Sequence, residues 1–180
     1  MLKGVIFNAV EEALIGVYGE DTWDIIVENS GVSGAYTALG DYEEADAGAL
    51  VAAAAALLGE SVDDTWRLVG RHLLPQLTKR LTNITAQFSS AEELLRAVND
   101  IIHSEVELLY PDSVPPMFEF SETDNGLLVR YVSARGLSAL VEGLIMGCGD
   151  LYSEEIEMEQ VDGSSPTDAQ FIVKFLSVPS

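Results

Sequence analysis

The segment YVSARGLSALVEGLIMG, which begins at Tyr131, places hydroxyls and a guanidinium at every second position, at Tyr131, Ser133 and Arg135. Alternate side chains of an extended segment point to one side, so these three converge. A planar cationic fork beside two hydroxyls holds a carboxylate or phosphate at more than one point. The aliphatic residues that follow, Leu137, Leu140, Val141, Leu144 and Ile145, recur at helical spacing. An anion clamp therefore stands above an apolar pocket. The ligand suited to that pair of features is amphipathic, acidic at one end and oily elsewhere.

His103 is the second position with chemistry to offer. It lies in NDIIHSEVELLYP on the edge of an apolar stripe, with Asn99 and Val106 on the same face. Such a histidine is ordinarily a packed boundary residue, and position alone does not make it a ligand. The clamp changes that balance, because neutral imidazole ligates haem iron and haem is an oily plate with two carboxylates on one edge. His72, in GRHLL, has no acidic or cysteine partner at metal-ligating spacing and reads as structural or exposed. Cys148 reads as a small buried hydrophobe. As the one cysteine, it excludes an internal disulfide and a cysteine zinc cluster. The acidic stretches DDTW and YEEAD lack the alternating oxygen ligands of a calcium loop, and neither a Ser-His-Asp set nor a phosphate loop is visible.

Composition narrows the partners. Thirty acidic against nine basic residues give a net charge of -21, which argues against nucleic acid and anionic membranes, since both demand clustered Lys and Arg. The acidity reads as a solvated surface rather than as a site for a basic partner. A chain of 180 residues fits a single domain over 1–180, large enough to enclose a ligand. No charged-then-apolar leader or long uncharged run is apparent, so the expected location is the cytosol.

The elements that must position these residues follow from periodicity. Residues 2–18 carry Ile6, Val10, Ala13, Leu14 and Val17 at helical spacing up to Gly19. Asp21 is placed to cap a second helix that ends near Gly31. VAAAAALLG predicts a buried helix, and Ser61 opens another through SVDDTWRLVGRHLLPQL, with a kink expected at Pro75. Ser90 and Glu93 have capping-box spacing ahead of one long helix that presents Leu95, Val98, Ile102, Val106 and Leu109, ended by YPDSVPP. Beyond Pro116 the period becomes alternating. FEFSETDNGLLVRYVS predicts a hairpin turning at Asp124–Gly126, and Arg135–Gly149 a helix. EEIEMEQV and AQFIVKFLSV predict two more strands around a turn at Asp162 and Gly163. The expected fold is α+β, an amino-terminal helical half plus a carboxy-terminal antiparallel sheet with one inserted helix.

In this order the motifs resemble the haem nitric oxide/oxygen binding (H-NOX) family, whose domain is also the sensor of soluble guanylate cyclase. The resemblance rests on His103, on Tyr131, Ser133 and Arg135 as YxSxR, and on Gly143, Leu144, Ile145 and Gly147 after it. MLKGVIFNAVEE, GEDTW at Gly19–Trp23 and WRLVG up to Gly70 extend it over nearly the whole chain. It implies haem b between the two halves, with His103 as proximal iron ligand. It also implies that Tyr131, Ser133 and Arg135 hold the propionates and that Pro116 presses on the porphyrin. Members that keep dioxygen have tyrosine, tryptophan and asparagine where this chain has Leu140, Val10 and Leu73. The distal pocket expected from Ile6, Val10, Leu73, Leu140 and Leu144 is therefore wholly aliphatic and excludes stable oxygenation.

The implied function is a nitric oxide sensor, with carbon monoxide as a further ligand, that catalyses nothing and releases His103 when the gas binds. Gly70 is then a candidate pivot. With no effector domain after Ser180, the output falls to a separate protein, such as a histidine kinase or a cyclic-di-GMP enzyme. A haem enzyme is one rival, but it needs a distal acid or base. A binding module of the same fold for another apolar acid, with His103 merely packed, is the second.

Overall fold

The computed structural model describes residues 1–80, 82–109 and 114–176, without the side chains of Arg80 and Leu109. The helical half opens with a two-residue strand β1 (Leu2–Lys3) and α1 (Gly4–Tyr18), in which Phe7, Val10, Ala13 and Leu14 form the buried stripe. Helix α2 (Glu20–Ser30) follows, with Gly31 in the left-handed region at its end; Asp21 lies inside its first turn and does not cap it. After β2 (Asp41–Tyr42), antiparallel to β1, the alanine run folds as α3 (Glu44–Leu58) and buries Ala47, Leu50, Val51, Ala54 and Ala55. Ser61 accepts from the Asp64 N–H at 3.0 Å to start α4 (Val62–Arg80), which runs on past Pro75.

The expected long helix from Ala91 to Leu109 is in three pieces. After the short α5 (Thr82–Thr85), α6 (Ala91–Arg96) gives way to a π-helical turn at Val98–His103, and α7 (Ser104–Leu109) completes the segment. Half of the capping box forms: the Ser90 hydroxyl accepts from the Glu93 N–H at 3.1 Å, while the Glu93 carboxylate bonds Ser89 instead of Ser90. The helix stop read at YPDSVPP falls on Tyr110–Ser113, outside the described residues.

The second half is a four-stranded antiparallel sheet in the order β3-β4-β6-β5, from β3 (Met117–Thr123), β4 (Gly126–Val132), β5 (Glu155–Gln160) and β6 (Asp168–Leu176). Thr123 pairs with Gly126, so the first hairpin turns on Asp124 and Asn125. One face, with Phe118, Leu127, Val129, Tyr131, Ala169, Phe171 and Val173, is buried against the inserted helix α8 (Ser138–Tyr152). Helix α8 begins three residues later than its periodicity suggests, because a turn at Ser133–Gly136 precedes it.

Helices α4 and α8 join the halves by backbone contact. A Cβ on Gly70 would lie 2.2 Å from the Leu140 carbonyl oxygen, and one on Gly143 2.1 Å from that of Arg67. Both glycines exist to permit this approach, so Gly70 lies at a tight crossing rather than at a free bend. Arg67 donates to Glu142 and Arg71 to Asp150 on either side of it. Among the described residues no single helix is long and apolar enough to cross a membrane.

Candidate functional site

A cavity of about 340 Å³ lies between the helical half and the sheet, within the usual range for a small-molecule or cofactor site. Helix α1 supplies Ile6, α4 supplies Leu73, and α8 supplies Leu140 and Leu144. The other half supplies His103 from the π-helical turn, Pro116 from the approach to β3, and Tyr131, Ser133 and Arg135 from β4 and the turn after it. Nine of the ten residues picked out by sequence thus border one space. Val10 does not. It is fully buried in the same cluster as Leu73 and Leu140, behind the wall rather than on it.

The clamp is built differently from the alternating strand that its spacing suggests. Only Tyr131 lies within β4. Ser133 opens a turn in which the Gly136 N–H donates to the Ser133 carbonyl at 3.3 Å, and Gly136 takes φ +65°. The Ser133 hydroxyl accepts from the Arg135 N–H at 3.3 Å, and the Tyr131 hydroxyl accepts from the Leu137 N–H at 3.2 Å. The turn brings the three polar groups to one end of the cavity by folding back rather than by strand pleat.

The Arg135 guanidinium donates to Glu44 at 3.0 Å and to the Val114 carbonyl at 2.5 Å. Burial pushes the Glu44 carboxyl up, but hydrogen bonds from the Met1 ammonium and from Arg135 outweigh it and hold the group below the usual carboxylate range. Glu44 comes from α3, 91 residues away in sequence, and nothing local marks it. Lys3, also at the cavity, is paired to Asp41 at 2.8 Å.

His103 is part-buried, its ring 5.9 Å from that of Phe118. Burial alone moves its pKa down, to about 4, so the imidazole is neutral at physiological pH and keeps a nitrogen lone pair for a metal. Cys148 borders the same cavity, but burial pushes its thiol up to about 12. A protonated thiol is a poor metal ligand. His72 is exposed on α4, with Nδ1 3.0 Å from the Leu68 carbonyl oxygen, and does not reach the cavity. Among the described residues no group of three or more His, Cys, Asp or Glu side chains is placed to hold a metal ion.

Fold and site define an α+β domain with a largely apolar cavity bordered by one neutral histidine and by Tyr131, Ser133 and Arg135. Residues 3–160 match the family model described as Haem-NO-binding, and the chain belongs to that family of haem-based gas-sensor domains. It is 25% identical over 155 residues to soluble guanylate cyclase gcy-32 of Caenorhabditis elegans, a match that covers 79% of this chain and 22% of that protein. The chain thus spans about a fifth of this curated relative.

The fold is that of solved H-NOX proteins. The Shewanella oneidensis protein in its Fe(II)NO state matches with a TM-score of 0.87 at 24% identity, over 98% of this chain and 100% of that one. The Fe(II) unliganded protein from K. algicida matches with 0.87 at 24%, over 99% of each chain.

Proposed function

We propose that this chain holds haem b through His103 and passes a nitric oxide signal to a separate protein, catalysing nothing itself. The observation that carries the reading is that the cavity has one histidine, kept neutral by burial, and that Ile6, Leu73, Leu140 and Leu144 present only aliphatic side chains to it from the helices. When bound, the haem supplies an iron that takes up diatomic gases.

His103 contributes the imidazole nitrogen, while Cys148 keeps its proton and contributes nothing. Arg135, Ser133 and Tyr131 would hold the propionates, with a charge-assisted pair to Arg135 the strongest contact on offer. Pro116, which borders the same cavity as His103, would pack against the haem. Ile6, Leu73, Leu140 and Leu144 offer no N–H or O–H group, and Val10 packs behind them. Bound dioxygen develops negative charge and needs such a donor, whereas nitric oxide and carbon monoxide do not. Those aliphatic residues supply no acid or base either, and Lys3 at the cavity is already paired to Asp41, which speaks against a haem enzyme. Membership of a gas-sensor family and the likeness to a cyclase sensor support the signalling role. Its receiver is a signalling enzyme of the histidine kinase or cyclic-di-GMP class.

Replacing His103 with glycine tests the ligand. The His103→Gly protein should lose haem during purification unless imidazole is supplied, because the clamp leaves iron without a protein ligand. If it keeps haem with an unchanged ferrous spectrum, another residue is the ligand.

A further inference from the structure

The segment that presents His103 is held in an unusual way. The Ala97 carbonyl accepts from the Ile101 N–H at 3.0 Å and from the Ile102 N–H at 3.3 Å, and the second bond closes the wider ring of a π-turn. Such turns are rare and gather at functional sites. No residue of Val98–His103 is fully buried, so packing alone holds the turn weakly.

What ties it down is Asn99. Its Nδ2 donates to the Phe118 carbonyl at 2.6 Å, and its Oδ1 accepts from the Phe118 N–H at 3.2 Å. Phe118 lies on β3, an edge strand, opposite Tyr131 in β4. Its backbone groups point away from β4, where among the described residues no further strand stands to receive them. The Asn99 amide, with one donor and one acceptor at the right separation, takes the place of that missing strand. The Phe118 ring is in turn 5.9 Å from His103 and 5.8 Å from Tyr131. One residue thus anchors the π-turn by its backbone and touches both His103 and the clamp tyrosine by its ring.

We propose that Asn99 is a positioning residue whose side-chain amide latches the π-turn to β3, fixing where His103 stands and how strongly it bonds iron. The proposal rests on the reading of His103 as the iron ligand. With the latch intact, His103 is held toward the cavity by two hydrogen bonds from its own turn. With the latch gone, the turn is free to swing outward and the bond to iron weakens.

The test combines two readouts on the full haem-loaded chain. Exchange of the Phe118 amide, followed by NMR on the diamagnetic ferrous carbonyl form, reports on the latch; the iron–histidine stretching band of the ferrous protein reports on its effect. Asn99→Leu should quicken Phe118 exchange about fivefold, as expected for one net hydrogen bond, and move the band to lower frequency. Asn99→Asp keeps the acceptor for the Phe118 N–H but loses the donor. It should protect that amide nearly as in wild type and shift the band less, and it serves if Asn99→Leu does not fold. Unchanged Phe118 exchange in Asn99→Leu, or quickened exchange with an unmoved band, overturns the proposal. An iron–histidine band missing from the wild type strikes the ligand assignment first and takes the proposal with it.

Discussion

The wall made by α4 and α8 and the segment that carries His103 border one cavity but are built on opposite terms. In the wall, two helices touch backbone to backbone at Gly70, Gly143 and Gly147, with Leu73 and Leu140 buried beside the contact. Close-packed contacts of that kind do not deform gradually. The His103 segment is three short helical pieces with a π-turn in the middle, no fully buried residue in that turn, and a side-chain amide as its tether. Hydrogen bonds to a single amide can be broken and remade. Under the proposed function the difference divides the roles: the rigid wall would select the gas, and the tethered segment would be the part that moves.

The largest effect should come from breaking the wall. Gly143→Ala puts a methyl group 2.1 Å from the Arg67 carbonyl oxygen, a backbone atom with no way to yield. We expect stability to fall by about 3 kcal/mol, the upper end for overpacking, in a denaturant titration. A midpoint equal to that of wild type would mean that α4 and α8 separate easily, and the contrast with the His103 segment would vanish.

Arg135→Ala, at the clamp, should leave the fold standing and lower haem affinity by roughly 1.5–3 kcal/mol, the worth of a charge-assisted hydrogen bond. Transfer of haem to an acceptor protein measures this directly. An unchanged off-rate contradicts the clamp assignment.

Leu140→Tyr is the smallest change, since it alters what the wall offers without altering how it is built. The phenol donor should let the ferrous protein hold dioxygen longer, only modestly, because an unpaired buried hydroxyl costs about 1–3 kcal/mol and neither Leu73 nor Val10 can orient it. Adding Leu73→Asn should strengthen the effect. Oxygen retention no better than wild type in the double variant, with haem bound, would mean that Leu140 does not face the ligand.

The sequence made the elements with strong periodicity legible: α1, the alanine-rich α3, and the strands whose alternation follows Pro116. It also made visible the residues of the site whose chemistry is scarce, since a chain with two histidines and nine bases leaves few candidates for ligand and clamp. What it concealed depends on distant partners. The π-turn interrupts a stripe that reads as an unbroken helix, and the Asn99 within it bonds an edge strand 19 residues on, a partner the local sequence does not show. Glu44, which holds Arg135, sits in an acidic helix start like several others. Val10 carries the right spacing for the cavity, yet α1 turns Ile6 toward it and Val10 into the core behind. Gly70 reads as a candidate pivot, and its close contact with α8 shows only once that helix is laid across it.

The most direct measurement is the absorption spectrum of the reduced wild-type protein, first in air and then under nitric oxide. The proposed function predicts a Soret band that forms no lasting oxygenated complex in air and shifts when nitric oxide is added. A long-lived oxygenated spectrum would contradict the selection by Leu140 and its aliphatic neighbours, and a colourless protein that takes up no haem would contradict the role of His103 altogether.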